Sequence, residues 1–211
     1  MIRYAITDRT LLVTAGEDDD RRLKALVDQC ARLAREGLDI LQLREKDLPP
    51  PELGEVSRQV LRAVRANGGV TKLVISSRLD VALLIGADGV HLSSRPGPMT
   101  PELARAGFRE AGLPAPFISI SCHSVEDVRA AREAGVSAIL FGPVFGKTIA
   151  GTEVTPAIGL EALREACIEA RSTPVLALGG VTPDKIASCL DAGAAGIAAI
   201  RMFLSPSPGL T

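Results

Sequence analysis

Eight short apolar segments recur along this chain, each followed by a stretch with helical character, and the polar residues able to do chemistry gather just past their ends. Such strand and helix alternation predicts a single-domain α/β fold, the (β/α)8 barrel, in which chemistry belongs at the C-terminal ends of the strands. The strands are expected over 4–7, 40–43, 73–76, 89–92, 118–122, 138–141, 175–178 and 196–200. They are short and mostly apolar on both faces, as strands between a barrel interior and a helix layer should be. Helical period fills 21–36, 51–67, 125–134, 159–170 and 183–192. Ser124 stands three residues before Asp127, Thr182 precedes Pro183, and Gly37, Gly135 and Gly193 follow the helices as C-terminal glycines. The alternative architecture, an open doubly wound sheet, needs a topological switch and usually fewer strands.

A chain of 211 residues is short for this barrel and leaves little for a second core. The barrel is therefore expected over 1–204, followed by a Pro/Ser-rich tail over 205–211 that should be mobile. The densest loop signals lie at 16–20, 49–51 and 93–98. A net charge of −1 gives no electrostatic case for nucleic acid or an anionic membrane surface. A phosphorylated small molecule can still bind a local cationic pocket. Cys30, Cys122, Cys167 and Cys189 are scattered without a metal-ligand or disulfide spacing, which fits reduced thiols in a cytoplasmic protein. Asp8 and Arg9 interrupt the N-terminus where a signal peptide would be apolar, and no run is long enough to span a bilayer.

The segment after the second strand carries Gln42, Arg44, Glu45, Lys46 and Asp47. Arginine grips phosphate or carboxylate oxygens bidentately, and lysine adds a movable point charge. The alternative is a solvated charge cluster. Gly179 and Gly180 follow strand seven, and Ile200 and Arg201 end strand eight, the two places where barrels most often hold phosphate on backbone N–H groups. A Gly-Gly pair alone is more often a turn. Ser121, Cys122 and His123 close the fifth strand. A histidine there can give or take a proton near neutral pH, or simply bond to the following helix. Cys122 invites a nucleophile, although buried inert cysteine is the commoner outcome. His91 is expected to face the core or a helix. Ser76 and Ser77 after strand three, and Ser93 after strand four, offer hydroxyls, a poor set for a hard divalent ion. Asp80 reads as a first-turn acid on the next helix. The stretch 142–148, with Lys147, reads as a flexible loop able to close over a ligand.

Taken in order, the blocks Tyr4-Ala5-Ile6-Thr7-Asp8, Gln42-Leu43-Arg44-Glu45-Lys46, Arg78-Leu79-Asp80-Val81-Ala82, Gly86-Ala87-Asp88-Gly89-Val90-His91-Leu92, Ser121-Cys122-His123-Ser124, Phe141-Gly142-Pro143-Val144-Phe145 and Ala177-Leu178-Gly179-Gly180 resemble the superfamily that joins thiamine phosphate synthases to TenI-type thiazole tautomerases. The likeness runs over nearly the whole chain. For the synthase branch it implies joining a pyrimidine methyl diphosphate to thiazole phosphate, with magnesium holding the departing diphosphate. That branch typically shows Asn-Asp-Arg after strand three and an acid shortly after the His-Leu of strand four. Ser76-Ser77-Arg78 and Ser93-Ser94-Arg95-Pro96 stand there instead. The loop from Gly146 to Ile149 and the surroundings of Arg201 also depart from the synthase pattern. The tautomerase branch shifts a proton to convert a carboxylated thiazole phosphate tautomer into its aromatic isomer. It needs no metal, so the expectation is a metal-independent tautomerase with no cofactor, and magnesium only if the chain is a divergent synthase. In that branch the motif histidine maps onto His123, phosphate sits at Gly179, Gly180 and the end of strand eight, and Arg44 and Lys46 meet the carboxylate. Glu45 and Asp47 remain as carboxylates a metal could recruit. A non-catalytic barrel binding thiamine intermediates is a third possibility, since fold does not fix function. A homodimer is compatible with a barrel of this size.

Overall fold

The computed structural model describes residues 1–13, 16, 18–67, 69–93, 97, 99–149 and 152–204, with backbone only for 147–149 and 152–155. The tail 205–211 and most of the loop 93–98 lie outside the described residues. Eight parallel strands, β1 (Ile2–Ile6), β2 (Ile40–Leu43), β3 (Lys72–Ser76), β4 (Gly89–Leu92), β5 (Phe117–Cys122), β6 (Ala138–Phe141), β9 (Val175–Leu178) and β10 (Gly196–Ala199), form a closed barrel. β1 pairs with both β2 and β10, which completes the closure and excludes the open sheet. Each strand falls within two residues of its expected span. Between β6 and β9, β7 (Lys147–Ile149) and β8 (Thr152–Thr155) form a two-stranded antiparallel ribbon in place of the expected irregular loop.

The helices are α1 (Asp19–Arg35), α2 (Pro50–Ala66), α3 (Leu79–Ile85), α4 (Pro101–Glu110), α5 (Val125–Glu133), α6 (Gly159–Ala170) and α7 (Ile186–Asp191). α4 adds to the helical segments singled out in the sequence, and α3 carries Asp80 in its first turn, as expected. α4 has a clear start, because the Thr100 hydroxyl accepts from the Leu103 amide and Pro101 occupies the first turn. The stretch 183–192 divides into a 3-10 turn, Pro183–Lys185, and α7, and Thr182 makes no side-chain cap bond to it. Ser124 does cap α5, accepting from the Asp127 amide.

Strand alternation sorts the side chains into two cores. One set, including Leu41, Leu73, Ile75 and Ile139, packs outward against Leu26, Val60, Ala82 and Leu163 of the helices. The other set fills the barrel interior with Tyr4, Ile6, Ile40, Val74, Leu140 and Leu176. The interior turns polar toward the C-terminal ends of β2 to β5. Gln42 lies beside Ile6 and Val74, Ser76 beside His91, His91 beside Ser119, and Ser121 beside Leu140. A hydrophobic floor with a polar mouth is thereby built by register alone. Among the described residues no helix is long and apolar enough to cross a membrane.

Candidate active site

That polar mouth opens into a cavity of about 470 Å³, within the size range of small-molecule sites. β2 and the segment after it supply Gln42, Arg44 and Lys46. β3 supplies Ser76 and Ser77, β5 supplies Ser121 and His123, and Ile200 enters after β10. Eight of the site residues expected from the sequence therefore share one cavity, and Ile6, His91, Ser93 and Leu178 complete its lining.

The segment after β2 is held rigid by a residue the sequence reading passed over. Arg9 is almost fully buried and grips the Asp47 carboxylate with both terminal nitrogens, at 2.6 and 2.9 Å. Glu45, also buried, accepts from the Thr7 hydroxyl at 2.6 Å and from the Arg9 backbone and guanidinium. The Thr7 hydroxyl in turn accepts from the Arg44 amide at 2.9 Å. Desolvation pushes the Glu45 carboxyl up, against the opposing pull of Thr7 and Arg9, whereas the Arg9 hydrogen bonds hold Asp47 down. The two carboxylates are thus turned to Arg9, and the alternate residues Arg44 and Lys46 line the cavity with no carboxylate paired to either among the described residues.

His123 sits at the mouth, at the start of α5. Its backbone N–H donates to the Asp127 carboxylate at 2.9 Å, and its ring Nδ1 bonds to the Gly142 carbonyl. A carbonyl only accepts, so Nδ1 carries the proton, and in the neutral ring Nε2 holds a lone pair. Cys122 points the other way. It is fully buried, and burial lifts its thiol to about 12, which removes the thiolate a nucleophile requires.

His91 departs from its expected purely structural place. Its ring is buried inside the barrel but also lines the cavity, and it bonds through Nδ1 to Ser119 Oγ at 2.9 Å and through Nε2 to Ser121 Oγ at 3.0 Å. Desolvation, reinforced by nearby Arg44, pushes it down to about 3, so the ring is neutral at pH 7. Gln42, 1 % exposed, leaves its carbonyl oxygen without a partner among the described residues. A buried unpaired acceptor on a cavity wall is suited to a donor from the ligand.

Gly179 and Gly180, expected to hold phosphate, do not themselves line the cavity. Gly179 and Gly180 have φ of +91° and +66°, and a Cβ on Gly180 would lie 2.6 Å from the Phe145 carbonyl oxygen. Their segment is locked to the strand β6 loop by bonds from the Val144 and Phe145 amides to the carbonyls of Leu178 and Gly179. Leu178 lines the cavity, so the glycines stand immediately beside it. Arg201 departs from expectation. It is exposed in a 3-10 turn, Arg201–Phe203, and is not part of the cavity lining, because the chain turns outward after Ile200. Lys147 begins β7, and its side chain lies outside the described residues.

Among the described residues the donor set does not fit a magnesium ion. The cavity wall offers hydroxyls of Ser76, Ser77, Ser93 and Ser121 and the Gln42 amide, beside two cations. Asp80 is engaged by Arg78. Glu45 and Asp47 are engaged by Arg9. Among the described residues no group of three or more His, Cys, Asp or Glu side chains could hold a metal ion. A hard cation prefers charged oxygen ligands, whereas this wall favours an anion.

The profile of the thiamine monophosphate synthase family matches residues 10–203, nearly the whole barrel. The chain belongs to that family. It is 36% identical over 201 residues to the putative thiamine-phosphate synthase 2 of Aquifex aeolicus, covering 95% of this chain and 96% of that protein. It is 35% identical over 208 residues to the thiamine-phosphate synthase of a Roseiflexus species, covering 98% of this chain and 80% of the relative. Among solved structures, the thiamine phosphate pyrophosphorylase from Pyrococcus furiosus superposes with a TM-score of 0.75 at 29% identity, covering 98% of this chain and 88% of that one. The likeness read from the motif blocks is therefore a family relationship, and the chain is an enzyme of a thiamine-biosynthesis family.

Proposed function

We propose that this family member is a metal-independent tautomerase acting on a carboxylated thiazole phosphate. The reading is carried by one observation: His123 is held with Nδ1 on the Gly142 carbonyl, which leaves Nε2 as the basic atom at the mouth of a cavity lined by cations and hydroxyls, with no carboxylate among the described lining residues. In the proposed reaction Nε2 takes the acidic ring proton of the ligand and returns a proton at the far end of the conjugated system. One C–H bond breaks and another forms, with no net gain or loss of protons or electrons, and the ring becomes aromatic. A single positioned base suffices for such a shift. Arg44 and Lys46 would hold the ligand's carboxylate, and the backbone beside Gly179, Gly180 and Ile200 would take its phosphate. Gln42, Ser76, Ser77 and Ser121 would orient the ring, and Arg201 would act from outside the lining.

A second reading, a magnesium-dependent synthase acting on a pyrimidine diphosphate and a thiazole phosphate, is favoured by the names of the relatives. Purified protein tests both. Isomerisation of the carboxylated thiazole in the presence of a chelator, abolished by His123→Ala, supports the first. Thiamine phosphate formed only with magnesium supports the second. Binding of thiazole phosphate with neither reaction would leave the non-catalytic binder.

A further inference from the structure

Below the cavity, a chain of four side chains runs from the barrel floor to its mouth. Tyr4 Oη lies 2.9 Å from Ser119 Oγ, Ser119 Oγ lies 2.9 Å from His91 Nδ1, and His91 Nε2 lies 3.0 Å from Ser121 Oγ. Tyr4 and Ser119 are completely buried. The edge-on contact of the Tyr4 and His91 rings, 6.4 Å between centroids at 65°, fixes both planes.

The order of the protons in this chain follows from counting donors. Burial pushes the Tyr4 phenol up, so it keeps its proton, and its hydroxyl has no hydrogen-bond partner but Ser119 among the described residues. Tyr4 must therefore donate to Ser119. Ser119 then has one proton to place, and the remaining neighbour is His91 Nδ1. Nδ1 accepts, so the proton of the neutral ring is on Nε2, which donates to Ser121 Oγ. Ser121, having accepted from below, has its own O–H left for the cavity it lines. Reversing the chain would strand the Tyr4 proton in the core. Letting Ser119 accept from both sides would strand the Ser119 proton. Either orphan costs roughly 1–3 kcal/mol.

We propose that His91 is a positioning residue that, backed by Ser119 and Tyr4, presents the Ser121 hydroxyl as a fixed hydrogen-bond donor to an acceptor atom of the ligand. The two histidines then work in opposite senses: Nε2 of His123 accepts, and Nε2 of His91 donates through Ser121. A pre-aimed donor gains strength as negative charge develops on the ligand during proton removal, without reorganisation at that moment. No proton travels along the chain. The ligand part of this inference rests on the tautomerase reading; the proton order does not.

The chain contains two histidines, so 15N-labelled protein reports each ring, with His123→Ala assigning the signals. Full-length protein at neutral pH should show His91 protonated on Nε2 and bare on Nδ1. Ser119→Ala, which removes the donor to Nδ1, should give a mixture of tautomers. It should also lower kcat for isomerisation about tenfold or more, with a smaller change in KM. His91→Gln, which keeps an amide donor near Ser121, should retain more kcat than His91→Leu. His91 protonated on Nδ1 in the unsubstituted protein overturns the proposal, as does an unchanged tautomer in Ser119→Ala. Should Ser119→Ala fail to fold, the unsubstituted spectrum still decides. His91 in the Nε2–H form in a protein with no isomerase activity would defeat the tautomerase reading and leave the proton order standing.

Discussion

Arg9 and Asp47 meet through two parallel hydrogen bonds of 2.6 and 2.9 Å across 38 residues of sequence, and this pair fixes which way the loop after β2 faces. With Asp47 and Glu45 drawn to Arg9, the intervening Lys46 and the preceding Arg44 are left on the cavity side. The pair thus connects a packing decision in the first loop to the charge of the site.

Removing that guanidinium should be costly. Arg9→Ala leaves Glu45, whose side chain is 2% exposed, without its cation, and breaking a buried pair from one side costs about 3–5 kcal/mol. Urea unfolding should show a loss of that order, partly recovered when Glu45→Gln is added. A loss below about 1 kcal/mol would mean that the cluster is solvated and does not organise the loop.

Stability should also fall on acidification through His91. Its pKa lies near 3 in the folded protein and near the ordinary 6.5 in the unfolded chain, so between those values the unfolded state binds more protons. The contribution is complete above about pH 6.5 and is lost as pH falls toward 3, with a slope of up to about 1.4 kcal/mol per pH unit. Denaturation from pH 7 to 4 should show this slope in the unsubstituted protein and a shallower one in His91→Gln. Equal slopes would contradict the buried neutral ring.

Gly180→Ala should destabilise the protein and disturb the end of the site proposed to take phosphate. The new methyl would lie 2.6 Å from the Phe145 carbonyl oxygen at a φ of +66°. Strain of this kind is worth about 1–3 kcal/mol. The thermal midpoint should drop and KM for the phosphorylated ligand should rise. An unchanged midpoint would show that the loop has room to shift.

The barrel was readable because its strands are apolar on both faces and its helices carry capping residues, signals local enough to survive without tertiary context. The ribbon was not, because the polar, threonine-rich stretch β8 (Thr152–Thr155) lacks the apolar alternation of a half-buried strand. Most of the cavity lining could be found from its place after β2, β3 and β5. His91 is buried as expected, but its place on the cavity was not legible, because in a four-residue strand buried throughout nothing in the sequence says which alternate residues face the interior. The period-two relation to Ser76 and Ser119 across neighbouring strands was the missing signal. Arg9 escaped notice because a charged residue early in a chain reads as surface, and its burial depends on carboxylates contributed from β2's far side. Arg201 was drawn into the site by its position at a strand end, but the 3-10 turn carries it outward.

Replacing His123 should separate binding from chemistry. His123→Ala should lower kcat for isomerisation by about 10²- to 10⁴-fold while affinity for thiazole phosphate, measured by calorimetry, stays within a few-fold. A parallel loss of affinity would make His123 a binding residue.

The most direct test follows the carboxylated thiazole phosphate tautomer by absorbance as it becomes aromatic, using purified protein with a chelator present. The account predicts catalysed conversion at the same rate with and without added magnesium. No conversion, together with magnesium-dependent thiamine phosphate formation from the pyrimidine diphosphate and thiazole phosphate, would contradict it.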